Sequence, residues 1–201
     1  MILSITGFID SSEAATALTS AMKGYQVSVD DALSIVDKFV ATDQVAATSA
    51  GNLAIALSKT AANAKLAGLS LDEVVGQLAV VNEVMQEAPE STGTFYNTML
   101  SRMGMIKAGR LSDPETGESL SDVETTLNSL GIQLRDSNSE FRNFGEILDE
   151  VGRSWNQYST VQQRAIATAF AGTRQQTRFL SLMSNWNTAL EYTEVAANSA
   201  G

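Results

Sequence analysis

Residues 48–85 read TSAGNLAIALSKTAANAKLAGLSLDEVVGQLAVVNEVM, two amphipathic segments joined by a short glycine–serine break. From about Thr48 to Ala67, small and apolar residues recur at helical spacing. One face of this helix carries Leu53, Ala56, Leu57, Ala61 and Ala64. Such small side chains let a neighbouring helix approach closely, and Gly68 supplies the left-handed residue that commonly ends a helix. We therefore expect this helix to be buried.

The residues Ser70-Leu71-Asp72-Glu73 predict that another helix begins immediately afterwards. In such a capping box the serine oxygen accepts from a backbone N–H of the first turn, and the glutamate reaches back to the serine N–H. The next apolar residues share one face, namely Val74, Val75, Leu78, Val81 and Met85. Pro89 then prevents the helix from continuing.

Helical spacing extends to both sides of this segment. Upstream it predicts helices at 11–23 and 28–41, and the second has a stripe that should face a partner, formed by Val29, Leu33, Val36 and Val40. Downstream, a helix from about Thr92 carries on one side Phe95, Met99, Met103 and Ile106. Gly109 then opens a loop with Pro114 and Gly117, which we expect to be exposed and acidic.

The C-terminal third mixes helix signals with one strand-like pattern. A second capping box is predicted at Ser121–Glu124, and residues 132–142 alternate around turn formers, which predicts a small β-hairpin. One helix is outlined by Ile147, Val151, Trp155 and Tyr158, and another covers about 161–171, where Gly172 ends it. A final long helix has a seam of Phe179, Met183, Trp186 and Leu190. Both tryptophans should lie in the core.

These patterns predict an all-α protein, a compact multi-helix bundle of about eight helices with at most one small β-hairpin. Glycines and prolines interrupt the helices too often for an extended rod, so the chain should fold back on itself. We divide it into an N-terminal helical subdomain at 1–109, an exposed acidic loop at 110–120 and a C-terminal helical subdomain at 121–201, joined as one folded unit.

The composition excludes several classes of function. The chain has neither cysteine nor histidine, which removes disulfides, thiolate chemistry, imidazole bases and most zinc sites. Its net charge of −10 disfavours nucleic acid as the main partner and opposes binding to anionic lipid. No apolar run reaches the roughly 18–20 residues of a transmembrane helix. We expect no enzymatic activity and no cofactor.

Two groups of carboxylates are the remaining candidates for site chemistry. Glu146, Asp149 and Glu150 lie on one helical face, as the acids of a glycoside hydrolase could, although neighbours on one helix more often form a solvated edge, and Glu150 could pair with Arg153. In the loop, possible calcium ligands are Asp113, Glu115, Glu118 and Asp122. Their order does not fit an EF-hand, and a surface turn explains them more simply.

The charge distribution has one unusual feature. Between Glu150 and Glu191 there is no acidic residue, yet the same stretch contains Arg153, Arg164, Arg174 and Arg178. Arginine binds carboxylates in a bidentate manner, so these four residues form a candidate contact surface for an acidic partner, either another protein or a second copy of the chain, with Trp186 near its end. A solvated helical face is the simpler interpretation.

Several blocks together resemble the core region of phage tail tape measure proteins. They are residues 104–109 (GMIKAG), 130–136 (LGIQLRD), the segment from Phe141 to Trp155, and 162–175 with its QQR and AGTRQ elements. Their order and spacing are similar to those of the family, and similarity also extends upstream to residues 18–25 and 35–38.

The resemblance implies a virion structural protein that lies inside the tail, sets tail length during assembly and takes part in genome delivery. It implies tail tube and tail assembly chaperone proteins as partners, with possible self-association, and a location in the virion tail interior or, during assembly, the host cytoplasm. Two alternatives remain open. One is a membrane-active module using the third and eighth predicted helices, and the other is a cell-wall-degrading domain.

Overall fold

The computed structural model describes residues 10–114 and 116–199. These residues form nine α-helices and a short 3-10 helix at Trp155–Gln157. The α-helices are α1 (Ser11–Tyr25), α2 (Ala32–Asp43), α3 (Ala50–Leu66), α4 (Leu71–Met85), α5 (Pro89–Lys107), α6 (Val123–Ser129), α7 (Phe144–Arg153), α8 (Thr160–Ser184) and α9 (Trp186–Ala197). No strand occurs within this part of the chain, which confirms the all-α prediction.

Helix α3 occupies the centre of the N-terminal half, as its small residues predict. Leu53, Ala56, Leu57, Ala61 and Ala64 are all buried. The close approach is visible at two glycines of neighbouring helices. A Cβ on Gly24 of α1 would lie 2.5 Å from Ala61 Cβ, and a Cβ on Gly93 of α5 would lie 2.4 Å from the Ala56 carbonyl oxygen. Because glycine has no side chain at these two positions, α1 and α5 can both pack closely against α3.

Helix α4 begins and packs as predicted. Ser70 Oγ accepts from the Glu73 N–H, and the Glu73 carboxylate accepts from the Ser70 N–H, so the capping box is complete. On its buried face, α4 lies against α9 so closely that a Cβ on Gly76 would be 2.4 Å from Thr193 Oγ1. The first and last parts of the chain thus meet along α4 and α9.

The predicted stripe of the second helix is wrong in part. Helix α2 begins at Ala32, so Val29 lies before it and is 80% exposed, and Leu33 is 60% exposed. The buried face instead contains Ile35, Val36 and Phe39. Burying the large Phe39 and Ile35 side chains gains more apolar contact than burying Val29 and Leu33, so the helix presents that face to the bundle.

Two other local predictions are also wrong. The capping box at Ser121–Glu124 does not form. The helix is preceded by Asp122, whose side chain makes no capping hydrogen bond, and Glu124 pairs instead with Arg135 at 2.9 Å. The hairpin at 132–142 is reduced to one antiparallel bridge between Arg135 and Phe141. Here Asp136 accepts from the backbone N–H groups of the turn, so a side chain takes the place of a longer ladder.

The last predicted helix is split into two. Helix α8 ends at Ser184, and α9 begins at Trp186 after Asn185, whose side chain donates to the Ser181 carbonyl. The seam still packs inward across the break, because Phe179, Met183 and Trp186 are buried and Leu190 is partly buried. Trp155 is buried as well, which confirms the placement of both tryptophans in the core.

One cluster of buried apolar residues extends from Ala14 to Ala196. It includes side chains from both predicted subdomains, and the boundaries of those subdomains stay a prediction. Within 110–120, Asp113 and Leu120 are buried and are therefore exceptions to the exposure expected of this loop.

Candidate protein-contact surface

The four arginines of the candidate surface lie in different environments. Arg164 and Arg174, both on α8, are exposed and make no ion pair or hydrogen bond within the described chain. Arg153 is exposed but pairs with Asp149 at 2.6 Å, and this hydrogen bond raises its pKa. Arg178 Nε donates to Glu87 at 2.9 Å, and its guanidinium also donates to Gln175. Only Arg164 and Arg174 are thus left for an outside partner.

A kink in α8 separates these two arginines. Gly172 has φ 71° and ψ 173°, whereas the residues on both sides are helical. The sequence predicted a helix end at Gly172, and the non-helical backbone there confirms the break. The chain continues directly into a second helical segment. Arg164 lies in the segment before the kink, and Arg174 lies in the segment after it.

A buried arginine and a glutamate hold the kink from the side. Arg102, 4% exposed, donates from Nε to the Ala169 carbonyl at 2.9 Å and from a terminal nitrogen to Glu118 Oε2 at 2.9 Å. Glu118 accepts in turn from the Thr173 backbone N–H at 3.2 Å and from its hydroxyl. The pair therefore satisfies a carbonyl before the kink and an N–H after it, groups that lose their helical partners at a break.

The charge state of Glu118 is tied to this arrangement. Desolvation by burial has the largest single influence and raises its pKa, but the hydrogen bonds from Thr173 and the charge of Arg102 together outweigh it and lower the pKa. Glu118 is thus ionised at neutral pH. It acts as an anchor of the kink rather than as an acid or base.

Sequence reasoning missed Arg102 altogether and placed Glu118 only among possible calcium ligands. A signal for Arg102 was present, because it follows Met99 by three residues and precedes Ile106 by four, on the face predicted to be apolar. A charge on an apolar stripe requires a buried partner.

The carboxylates on α7 do not face one another across a cleft. Asp149 accepts from Arg153 and, at 3.1 Å, from the Trp186 indole N–H. Glu150 pairs with Arg142 at 2.9 Å rather than with Arg153, so the suggested Glu150–Arg153 pair is wrong. Two of the three carboxylates therefore hold neighbouring elements together, which leaves no opposed acid and base of the kind that glycoside hydrolysis requires.

The acidic loop does not gather its carboxylates. Glu118 is directed to Arg102 and Thr173, and Asp113 accepts from the Thr116 N–H. Glu115 lies outside the described residues. Across 10–114 and 116–199, no three acidic side chains come together in a way that could hold a metal ion. Within the same ranges, none of the helices has the length and apolar content needed to span a bilayer.

Comparison with known proteins assigns a family to the sequence. The model of the family described as phage-related minor tail protein matches residues 1–172. No solved structure matches the chain.

Proposed function

The chain belongs to the phage-related minor tail protein family, and on this premise we propose that it is a folded domain of a tail tape measure protein. In this role it helps to determine tail length and takes part in tail assembly and genome delivery. It acts without a cofactor, through helix packing and protein contacts. Its partners are the tail tube and tail assembly chaperone proteins, inside the virion tail or, during assembly, in the host cytoplasm.

The observation that carries this proposal is the family match over residues 1–172 of 201. The resemblance of several ordered blocks to tape measure proteins supports the finer assignment. The use of the charged residues is consistent with a structural role, since the buried Arg102 and the carboxylates of Asp149 and Glu150 on α7 bind groups of other parts of the chain.

We place the contact with an acidic partner at Arg164 and Arg174. Both guanidinium groups are exposed and pair with no carboxylate of the described residues, so a partner would not have to break an existing ion pair to bind them. Arg153 and Arg178 already pair with Asp149 and Glu87, and their contribution to such a contact is correspondingly smaller. At physiological salt, screening weakens the attraction of these arginines to acidic residues of the same chain that lie beyond about 8–10 Å.

The test is complementation of a phage that lacks the corresponding full-length gene. We expect the double variant Arg164→Glu/Arg174→Glu to abolish tails in electron micrographs while circular dichroism shows unchanged helicity. A matched control, Lys23→Glu/Lys59→Glu, reverses two exposed lysines that make no ion pair in residues 10–114 and 116–199, and it changes the net charge by the same amount. Tails of normal number and length with the arginine variant would refute the assignment of this surface.

A further inference from the structure

An apolar groove lies between the C-terminal ends of α3 and α5. Its volume is about 300 Å³, and the buried side chains of Leu100, Met103 and Phe144 line it. Leu66, at the end of α3, forms one edge and is 83% exposed. One side is open, because a Cβ on Gly104 would meet no atom within 4 Å. Leu66 and the groove together offer apolar side chains of another molecule a place where they can be removed from water.

The rim of this groove is basic. Lys107 lies over the Phe141 ring at 5.9 Å from its centroid, and Arg110 follows in the loop after α5. Neither side chain makes an ion pair within the described residues. Arg142, also on the rim, is already paired with Glu150. In a chain with net charge −10, two unpaired cations beside an apolar groove favour an acidic and partly apolar occupant.

The chain itself exposes a segment with these properties. Residues 29–33 comprise the turn before α2 and the first two residues of that helix, and Val29 and Leu33 are two of the large apolar side chains that stay exposed. Asp30 and Asp31 lie between them and are exposed. Their carboxylates make no ion pair in the part of the chain that the structure describes. Apolar and acidic groups are thus presented together within five residues.

We propose that residues 29–33 of one copy of this chain dock in the groove of a second copy. Val29 and Leu33 would enter the apolar groove beside Leu66, and Asp30 and Asp31 would pair with Lys107 and Arg110. Each copy has one groove and one such segment, so the contact joins two different surfaces and generates either a closed ring or an open chain of copies. The contact uses neither Arg164 nor Arg174 and is independent of the partner proposed for them.

The test is charge reversal on each side, followed by mixing. In sedimentation equilibrium the wild type should self-associate, with an apparent mass that rises with concentration. Lys107→Glu/Arg110→Glu and Asp30→Lys/Asp31→Lys should each be monomeric alone. When the two variants are mixed, the intact segment of the first meets the intact groove of the second, so association should return. If the variants failed to associate because they were misfolded, mixing them would not restore association.

Two controls keep the outcome unambiguous. Lys23→Glu/Lys59→Glu changes the net charge by the same amount as Lys107→Glu/Arg110→Glu and should associate like the wild type. Because Lys107 lies in the last turn of α5, its reversal could unfold the protein. In that case the single variants Arg110→Glu and Asp30→Lys replace the two double variants. A wild type that stays monomeric at every concentration, a mixture that stays monomeric, or an equal loss of association in the lysine control would overturn the proposal.

Discussion

Replacing Gly172 with alanine tests whether the kink in α8 depends on the backbone freedom of glycine. At φ 71° and ψ 173°, Gly172 occupies a region that is essentially restricted to glycine. A Cβ at this position would also lie 2.9 Å from Glu118 Oε2 and 3.6 Å from a terminal nitrogen of Arg102. The substitution therefore strains the backbone and displaces the carboxylate that holds both sides of the kink.

The magnitude follows from three contributions. Backbone strain in this region costs about 1–3 kcal/mol. Displacing Glu118 weakens charge-assisted hydrogen bonds worth about 1.5–3 kcal/mol, part of which the carboxylate keeps by shifting. The lower entropy of the unfolded alanine chain returns about 0.4–1 kcal/mol. We expect a net loss of about 2–4 kcal/mol in the free energy of unfolding, or about 5–15 °C in Tm for a chain of this size.

The assay is urea unfolding followed by circular dichroism, with Gly104→Ala as the matched control. Gly104 lies within α5, where a Cβ would meet no atom within 4 Å, so alanine should stabilise the protein by about 0.5–1 kcal/mol. Glu118→Ala should also cost less in the Gly172→Ala background than alone, because the first substitution has already weakened its bonds.

A Gly172→Ala variant as stable as the wild type would refute this reasoning, since neither the strain nor the displaced carboxylate would then contribute. Additive effects of Gly172→Ala and Glu118→Ala would show that the two residues do not act together. In that case the kink would depend on the backbone of Gly172 alone.

Three further predictions follow from the same contacts. Gly76→Ala should lower the free energy of unfolding by about 2–3 kcal/mol in urea, because a Cβ would overlap Thr193 and force α4 and α9 apart. Because the folded state lowers the pKa of Glu118, the ionised carboxylate stabilises the fold above the ordinary pKa of 4.5, and this stabilisation is lost as the pH falls through the lower folded pKa. In urea titrations below pH 4.5, the difference in the free energy of unfolding between wild type and Glu118→Gln should therefore decrease. A difference that stays constant would contradict this prediction. Deleting residues 173–201 removes the helix that covers Gly76 and should abolish cooperative thermal unfolding; a sharp transition in the shortened chain would disprove this.

Much of the fold was predictable where local signals agree with tertiary packing. In α3, the small residues that suit a helix are also those that let α1 and α5 approach, so propensity and burial select the same face. The capping box of α4 is likewise both a local signal and the observed start of the helix. Such segments can be predicted from one sequence because no distant partner has to be known.

The errors occur where distant residues decide between local alternatives. The stripe through Val29 and Leu33 is as regular in spacing as the face of Ile35 and Phe39, but the neighbouring helices bury the larger side chains of the second. At Ser121–Glu124 the capping pattern is present, but Arg135 takes the glutamate. The spacing of the residues around Glu124 does not indicate that its carboxylate pairs with Arg135, 11 residues later.

The candidate surface was predictable as a charge pattern but not as a set of available groups. The absence of acidic residues between Glu150 and Glu191 identified four arginines. Only the structure shows that Glu87, 91 residues away in sequence, neutralises Arg178. The same limit applies to Arg102 and Glu118, because spacing could indicate a buried arginine but could not identify its carboxylate.

The family match ends at Gly172, in the middle of α8, but the core continues beyond it. Phe170 and Phe179 lie on opposite sides of the kink, and their rings stack with centroids 5.2 Å apart. The two segments of α8 therefore contribute to the same buried cluster. Because Arg102 and Glu118 bind both sides of this backbone break, the kink fixes the second half of α8 relative to the first. The position of Arg174 is therefore set by two residues more than fifty positions earlier in the chain. A change at Arg102 or Glu118 should move Arg174 relative to Arg164, although it alters neither arginine.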